Sequence, residues 1–545
     1  MSRPYRAWIL VAALVLVVDV GARAQSPKAE AQVQVQVQVQ MQMQMVVGYM
    51  PPEYIRKPVV LPPALRAEGR PLRRLTLDQA IETTVRSNLS VALQREKVEE
   101  VATGREFANA AFEPLVLASA ARTLSRLPPA TTEEGPAGQV LKTTQDDWAL
   151  SVLEHLPTGT DLRLDSTNGR TVGGFQNAVA PELYRAGLSL SLVQPVLRDF
   201  SFDLRIQRAP VLRAEFATAI AREEARLRAM LAVKATEDAY WNLVESCKSY
   251  EVNVGAHELA GKQLELTRRQ IAAGVLPESD LIAAEGTVAQ RELAVVRAEA
   301  QVDRSADQLR SLLNLPAGQW VDPILPIDAP SFAHVEVSFA SAMDRAMVSR
   351  PELKEAALDL RRIALDLDVA RNSRFPRLDL RGVVGTLGQD VDYGPTFDQS
   401  LRAEELQWSV GASFSWAPLG GAARAERRRL ESAMRSNGLS RDQLVVQFRE
   451  QIREAIRSIG TAERALLASA RFRDLAERNL DVEQRRFLNG LSSNFIVAQR
   501  QAELSQARLA ELDALIQHEK ATSDLQLATG ELLESRHLHF EVGHS

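Results

Sequence analysis

Cysteine is nearly absent: Cys247 is the single one in 545 residues, so no intrachain disulfide can form. It sits in a helical pattern and reads as a bystander rather than a nucleophile. Aromatics are scarce at 5%, while Ala, Leu, Arg and Glu dominate, a composition of long helices rather than a compact sandwich. Positive charge is not in excess; the formal net charge is −5, which removes the electrostatic case for a nucleic-acid binder. After the N-terminus no run of eighteen apolar residues occurs, so any further membrane crossing must be made without transmembrane helices. P-loop, G-x-S-x-G, H-E-x-x-H and C-x-x-C patterns are all missing, and neither enzymatic activity, a cofactor nor a metal site is expected. His537, His539 and His544 read as a frayed tail rather than ligands. Asp366 and Asp368 read as solvated charge on a helix surface.

What is present begins with an export signal. Arg3 and Arg6 precede the apolar stretch Ala7 to Val18, and Ala22-Arg23-Ala24 fits a cleavage site before Gln25. Residues 1–24 are therefore the expected signal peptide. Residues 25–74 form an extension that holds AQVQVQVQVQMQMQM, Ala31 to Met45, and then Pro51, Pro52, Pro58, Pro62, Pro63 and Pro71. The alternation would permit a strand, but a slipped low-complexity repeat in a flexible arm is the simpler reading. Ordered structure is expected from near Leu75.

An internal repeat sets the expected organisation. LTLDQAIETTVRSNLSV from Leu75 aligns with VSFASAMDRAMVSRPEL from Val337, an offset of 262, and Pro114 falls on Pro376. LSLSLVQPVL aligns with GASFSWAPLG, and RRQIAAGVLPESDL with QRRFLNGLSSNFIV, placing Gly274 on Gly490. The expected plan is a first repeat over 75–315, a linker over 316–336, a second repeat over 337–533 and a tail over 534–545. Each repeat reads helix, strands, very long helix, sharp glycine turn, helix. The first carries extra residues between its strands, with a hairpin expected around LPTGT: Trp148 to Leu156 on one arm, Asp161 to Asp165 on the other. In the second repeat positions 445, 452, 459, 466, 473, 480 and 487 read Val, Ile, Ile, Leu, Arg, Leu, Phe. The seam at 448, 455, 462, 469, 476 and 483 is mostly small, and so is 239, 246, 253 and 260 in the first. Such seams suit close coiled-coil packing. The proline-free run from Gly421 to Asn489 would span roughly 100 Å as a helix.

WSVGASFSWAP, Trp408 to Pro418, alternates large apolar residues with Ser409, Gly411, Ser413 and Ser415, the period of a strand with two unlike faces. Trp408 and Trp416 would lie roughly 27 Å apart along it, or roughly 20 Å vertically at a barrel's tilt, matching two interfacial girdles. The small polar face would line a lumen. Leu188, Leu190 and Leu192 repeat the device with Ser189 and Ser191, and Leu378, Leu380 and Gly382 begin a partner strand. An open sheet edge cannot stand in lipid. Four clear strands per chain cannot close a barrel, so several chains must share one.

LTLDQAI, FPRLDL before a strand, SLVQPVLRDF before a helix and the turn in GLSSNFIVAQRQAEL resemble outer-membrane efflux proteins of the TolC type, over about Leu75 to Leu533. The resemblance implies a mainly α fold with a transmembrane β-barrel: a homotrimer sharing a twelve-strand barrel in the outer membrane of a Gram-negative bacterium, continued by a long α-helical barrel across the periplasm. It implies an exit duct of a tripartite efflux or type I secretion system, with a periplasmic adaptor (membrane fusion) protein and an inner-membrane pump as partners. The cargo would be drugs, metals, dyes or secreted proteins. Gly274 and Gly490 would mark the periplasmic tips that meet the adaptor and gate the tunnel. Members often carry a carboxylate six residues after the glycine: Asp280 at the first tip, whereas Ile496 stands there at the second, with Gln499 three further on. Asp280 could instead be a helix N-cap, with Ser279 an alternative. Arg268, Arg269, Arg485 and Arg486 would either pair with neighbouring tips or simply favour a helix C-terminus. The rival reading from another class is a soluble periplasmic coiled-coil scaffold.

Overall fold

A computed structural model describes residues 49–63, 71–128, 136, 138–173, 180–538 and 540. The expected signal peptide, the Gln-Val repeat, His539 and His544 lie outside them. In chain order the elements are α1 Glu53–Arg56, β1 Arg73–Leu75, α2 Leu77–Ser87, α3 Leu89–Ala110, β2 Leu115–Leu127, β3 Leu141–His155, β4 Asp161–Gly173, β5 Glu182–Pro195, α4 Ala209–Ala272 and α5 Ser279–Leu313. They continue with β6 Ile324–Pro326, α6 Phe339–Ser349, α7 Pro351–Asn372, β7 Arg377–Asp390, α8 Tyr393–Arg402, β8 Leu406–Ser415, α9 Gly421–Leu488, α10 Asn494–Thr529 and α11 Leu532–Ser535. Two compact units result: one from the described residues up to Leu93 with Leu227–Arg350 and those from Val445 on, the other from Gln94–Arg226 with Pro351–Leu444. Each draws on both halves of the sequence.

The first unit is a helical body. α2 starts at a capping box: Gln79 N–H donates to Thr76 Oγ1 at 3.1 Å, and Thr76 N–H donates to Gln79 Oε1 at 3.2 Å, so two orphan donors are satisfied at once. Its apolar stripe of Leu77, Ala80 and Ile81 packs with Met230, Tyr240 and Leu243 of α4, Leu309 and Leu313 of α5, and Leu512 and Ile516 of α10. β1 and β6 pair in parallel beside it. Cys247 is fully buried in this core, and burial pushes its thiol up to about 12, a poor nucleophile. The small seam is in place, with Ala239, Ser246 and Ala260 buried on α4 and Ala455, Ala462 and Ala476 on α9 beside Phe448, Ile452, Ile459, Leu466, Leu480 and Phe487. Small residues at such positions let helices approach closely.

Two expectations about the termini fail. Order does not begin at Leu75: Ile55, Val59 and Leu61 are buried, and the Tyr49 and Tyr54 hydroxyls donate to the carboxylate of Glu511 at 3.0 and 2.9 Å. Lys248 is buried and spends its three donors on Tyr54 O, Lys57 O and Glu251 Oε2. Proline removes donors and presets extended backbone, but it does not stop a segment with apolar anchors from docking. Nor is the tail frayed through its described part. Arg536 Nε donates to Glu237 Oε1 at 2.8 Å, and Leu538 and Phe540 pack on the core.

The second unit contains one six-stranded antiparallel sheet in the order β2-β3-β4-β5-β7-β8. Here the count of four strands per chain is corrected. The stretch around LPTGT is a full hairpin inside the sheet, with arms Leu141–His155 and Asp161–Gly173 far longer than the expected ones. Four strands thus come from the first half and two from the second, and a closure of three chains into twelve strands does not follow. Asp366 and Asp368 are not bare charge: Asp366 accepts from Arg213 at 2.6 Å, and Asp368 lies 3.6 Å from Arg205 and 3.4 Å from Arg371. α8 lies against β5 and β7 with Thr396 and Ser400 buried. Gly388 permits this, since a Cβ there would sit 2.0 Å from Thr396 O.

Candidate functional site

The pairing register divides the sheet into two unlike faces. Trp148, Asn168, Ala186 and Gly388 are successive partners on one side. Along the strands the same side carries Leu150 and Val152, Leu162 and Leu164, Leu188 to Leu192, Leu378 to Val384, and Trp408, Val410 and Phe414, because alternate residues share a face. Trp408 and Trp416 are 74% and 59% exposed, though Trp416 stands just beyond the end of β8 rather than within it. Trp148 rests against Tyr393 of α8 at 5.5 Å, and Tyr393 against Tyr184 at 6.0 Å. α8 therefore covers part of the apolar face.

The opposite face is polar. Ser189 pairs with Asp165, Ser191 with Arg163, Ser409 with Val383, Ser413 with Asp379 and Ser415 with Arg377. All five serines expected on one face lie on one face. Arg163 Nε donates to Asp165 Oδ1 and Arg377 Nε to Asp379 Oδ2, both at 2.7 Å. A depression of about 390 Å³ opens on this side among Ser119, Gln145, Asp147, Thr167, Arg185 and Leu387. Sequence reasoning missed the charges on this face. Its carboxylates Asp147, Asp161, Asp165 and Asp379 stand with the guanidiniums Arg163, Arg185, Arg377 and Arg381. The signal for them is the run DLRLD, where Leu162 and Leu164 alternate with Asp161, Arg163 and Asp165.

The two glycine turns belong to the first unit and share one geometry. Gly274 has φ +74° and Gly490 φ +70°, a region that an L side chain rarely adopts. Gly274 N–H donates to Ile271 O and Val275 N–H to Gln270 O; Gly490 N–H donates to Phe487 O and Leu491 N–H to Arg486 O. That is the same Schellman closure twice. After the first turn Asp280 N–H donates to Pro277 O at 3.1 Å. Glu278 holds the cap position, without a side-chain bond. Neither Asp280 nor Ser279 is the N-cap, because the proline starts the helical turn earlier. Asp280 instead lies half-buried in the first turn of α5, where the helix dipole favours a carboxylate. Beyond the second turn Ile496 is half-buried and Gln499 exposed.

Arg268 reaches Glu265 and, across the turn, Glu285, both at 3.1 Å. Arg485 and Arg486 reach Asp481 and Glu483 on their own helix. Arg269, Arg485 and Arg486 occupy the last turns of α4 and α9. Also missed from the sequence are the bare apolar side chains at these turns: Val275, Ile282, Leu491 and Phe495 are 61%, 73%, 69% and 75% exposed. Among the described residues no cluster of three or more His, Cys, Asp or Glu side chains could hold a metal ion, and no helix is long and apolar enough to cross a membrane.

Residues 342–531 match the family model of outer membrane efflux proteins. The chain is 28% identical over 251 residues to nodulation protein T of Rhizobium leguminosarum bv. trifolii, a match covering 45% of this chain and 52% of that protein. The chain thus spans about half the length of this curated relative. Its fold is similar to the CusC channel (TM-score 0.63, 14% identity, 88% of this chain and 98% of that one) and to the CmeC outer membrane channel of Campylobacter jejuni (TM-score 0.60, 14% identity, 84% and 86%).

Proposed function

We infer that the chain, whose residues 342–531 match the outer membrane efflux protein model, resides in the outer membrane and is the passive exit duct of a tripartite efflux or type I secretion system. The carrying observation is the two-faced sheet with two bare edges. Its apolar face suits lipid and its polar, depressed face suits water, the alternation of an outer-membrane barrel strand. The edges β2 and β8 have no partner strand within the described chain. β8 has ten residues, so in lipid about five of them would leave N–H and C=O groups unpaired, at several kcal/mol per group. Copies of the chain remove that cost by pairing β8 of one with β2 of the next. A homotrimer, as in the resemblance, is the assembly we propose. A soluble periplasmic scaffold would gain nothing from leaving Trp408, Val410, Phe414 and Trp416 bare on one face.

The turns at Gly274 and Gly490 are the proposed periplasmic tips, with Asp280 facing the gate and Ile496 and Gln499 at the corresponding places of the second tip. Exposed Val275, Leu491 and Phe495 suit an apolar contact with a periplasmic adaptor. The inner-membrane pump would supply the energy, and this chain containment alone. In planar bilayers, Asp280→Asn is expected to change conductance or to weaken block by divalent cations, since a ring of carboxylates draws cations to a constriction. Unaltered conductance and unaltered block would remove Asp280 from the gate. Disrupting the coding sequence is expected to sensitise cells to part of a panel of dyes, metals and antibiotics, or to stop a secreted protein leaving.

A further inference from the structure

Resting on the reading above and deepening it, we propose that each chain gives six strands to the shared barrel, so that three chains close eighteen strands around an open aqueous lumen. The two strands added by the first half are built for lipid on one side and water on the other. β3 and β4 have 15 and 13 residues, and a tilted strand needs about 9–11 to cross a membrane. The register is continuous from Val116↔Val152 in β2–β3, through Val152↔Leu164 in β3–β4, to Leu164↔Leu190 in β4–β5. The apolar face therefore runs unbroken across the inserted hairpin. On β3 it is bounded by Asp146 and Glu154, eight residues apart, the same spacing that separates Trp408 from Trp416. That spacing is roughly 27 Å along a strand, or roughly 20 Å vertically once the strand is tilted, which fits within an apolar band about 25 Å tall.

The hairpin is also anchored. At its turn Leu156 N–H donates to Thr160 O at 2.8 Å and Gly159 takes φ +81°. Thr160 is bonded to Gln194 of β5, and Gln207 Nε2 donates to Thr158 O at 3.4 Å. A Cβ at Gly159 would meet Gln207 Cγ at 3.0 Å. The turn thus docks on the chain that leaves β5 for α4. It is short, whereas the join between β7 and β8 at the other end of the sheet, 391–405, is longer, the asymmetry of periplasmic turns and extracellular loops. Adding two strands rather than one also keeps parity: β8 still runs antiparallel to β2 of the next copy. Barrel diameter grows roughly linearly with strand number, and barrels of 16–18 strands leave a water-filled channel. The barrel then admits bulky cargo, and sieving falls to the tips.

The test uses full-length protein in liposomes, with a spin label on one introduced cysteine at a time: Leu150→Cys and Leu164→Cys on the inserted strands, Val410→Cys on β8, and Thr167→Cys on the polar face. Dissolved oxygen reports lipid, and a water-soluble nickel chelate reports water. The first three are expected to be oxygen-accessible and nickel-shielded, with Thr167→Cys the reverse. Cross-linking is expected to trap three copies. Labels at 150 and 164 in water with 410 in lipid would overturn the six-strand wall while leaving the duct intact. A label at 410 in water would take down both. A cross-linked mass of any other number of copies would overturn the eighteen-strand closure.

Discussion

Glu511 is fully buried, yet it accepts from Arg473 at 2.9 Å and from the hydroxyls of Tyr49 and Tyr54. Burial and the adjacent carboxylate push both tyrosines above the ordinary phenol range, so they remain donors at any physiological pH. Arg473 occupies a seam position otherwise filled by Val, Ile, Leu and Phe, and its partner lies 38 residues further on. Glu511→Ala leaves Arg473 with Asp474 at 2.7 Å and Glu477 at 3.9 Å but removes the acceptor of the Tyr49 hydroxyl and loosens the N-terminal segment. We expect a loss of about 1–3 kcal/mol, the usual scale for leaving buried hydrogen-bonding groups unsatisfied, measured by denaturation in detergent. His518 is buried against Phe332, with Glu463 at 3.8 Å. Burial holds its imidazole below the ordinary value, so the folded chain binds fewer protons there than the unfolded chain. Stability contributed at this site falls as pH drops through about 6.5, the unfolded value. The melting temperature is therefore expected to drop more between pH 7 and pH 5 in the native protein than in His518→Gln.

Among the elements, the glycine turns and the α8 contact test different physics. No atom lies within 4 Å of the Cβ that Gly490 would carry, so Gly490→Ala strains only the left-handed backbone. The expected cost is about 1–2 kcal/mol, read as a small fall in melting temperature with the fold kept. Gly388→Ala has no such freedom, because the new carbon meets the backbone of α8. It is expected to lift α8 from the sheet and change the emission of Trp148, which now rests on Tyr393. The glycine turns are legible in the sequence because a Schellman closure is local and needs only a glycine after a helix. The packing of α8 is not, since Gly388, Thr396 and Ser400 meet only after β7 has folded back. The LPTGT turn is visible by its residues, but its arms reach far beyond the expected ends. Asp146, Asp147, Asn168 and Gly169 read as loop residues until neighbouring strands pair with them.

At the scale of the whole molecule, the sheet faces predict opposite outcomes for one charge. Val410→Arg places a cation on the apolar face, where lipid exposure costs about 2–4 kcal/mol at mid-membrane. It is expected to reduce membrane insertion and the yield of heat-resistant oligomer on gels. Ser409→Arg, one residue away on the polar face, is expected to assemble normally and to shift conductance or ion selectivity instead. Equal failure of both in assembly would contradict the assignment of faces, and with it the duct.

Periodicity along single segments was enough to determine the long helices, the sharp turns after Gly274 and Gly490, and the two-faced character of the strand from Trp408. These depend on each residue's own neighbours in the chain, and alternation or heptad spacing records them directly. Tertiary structure alone decided that six strands share one sheet, that Tyr49 to Leu61 dock into the helical core, that Asp280 is no cap, and that α8 shields part of the apolar face. Each of those depends on a partner far away in the chain, and the physics of pairing and burial leaves no periodic trace at the position that waits for it.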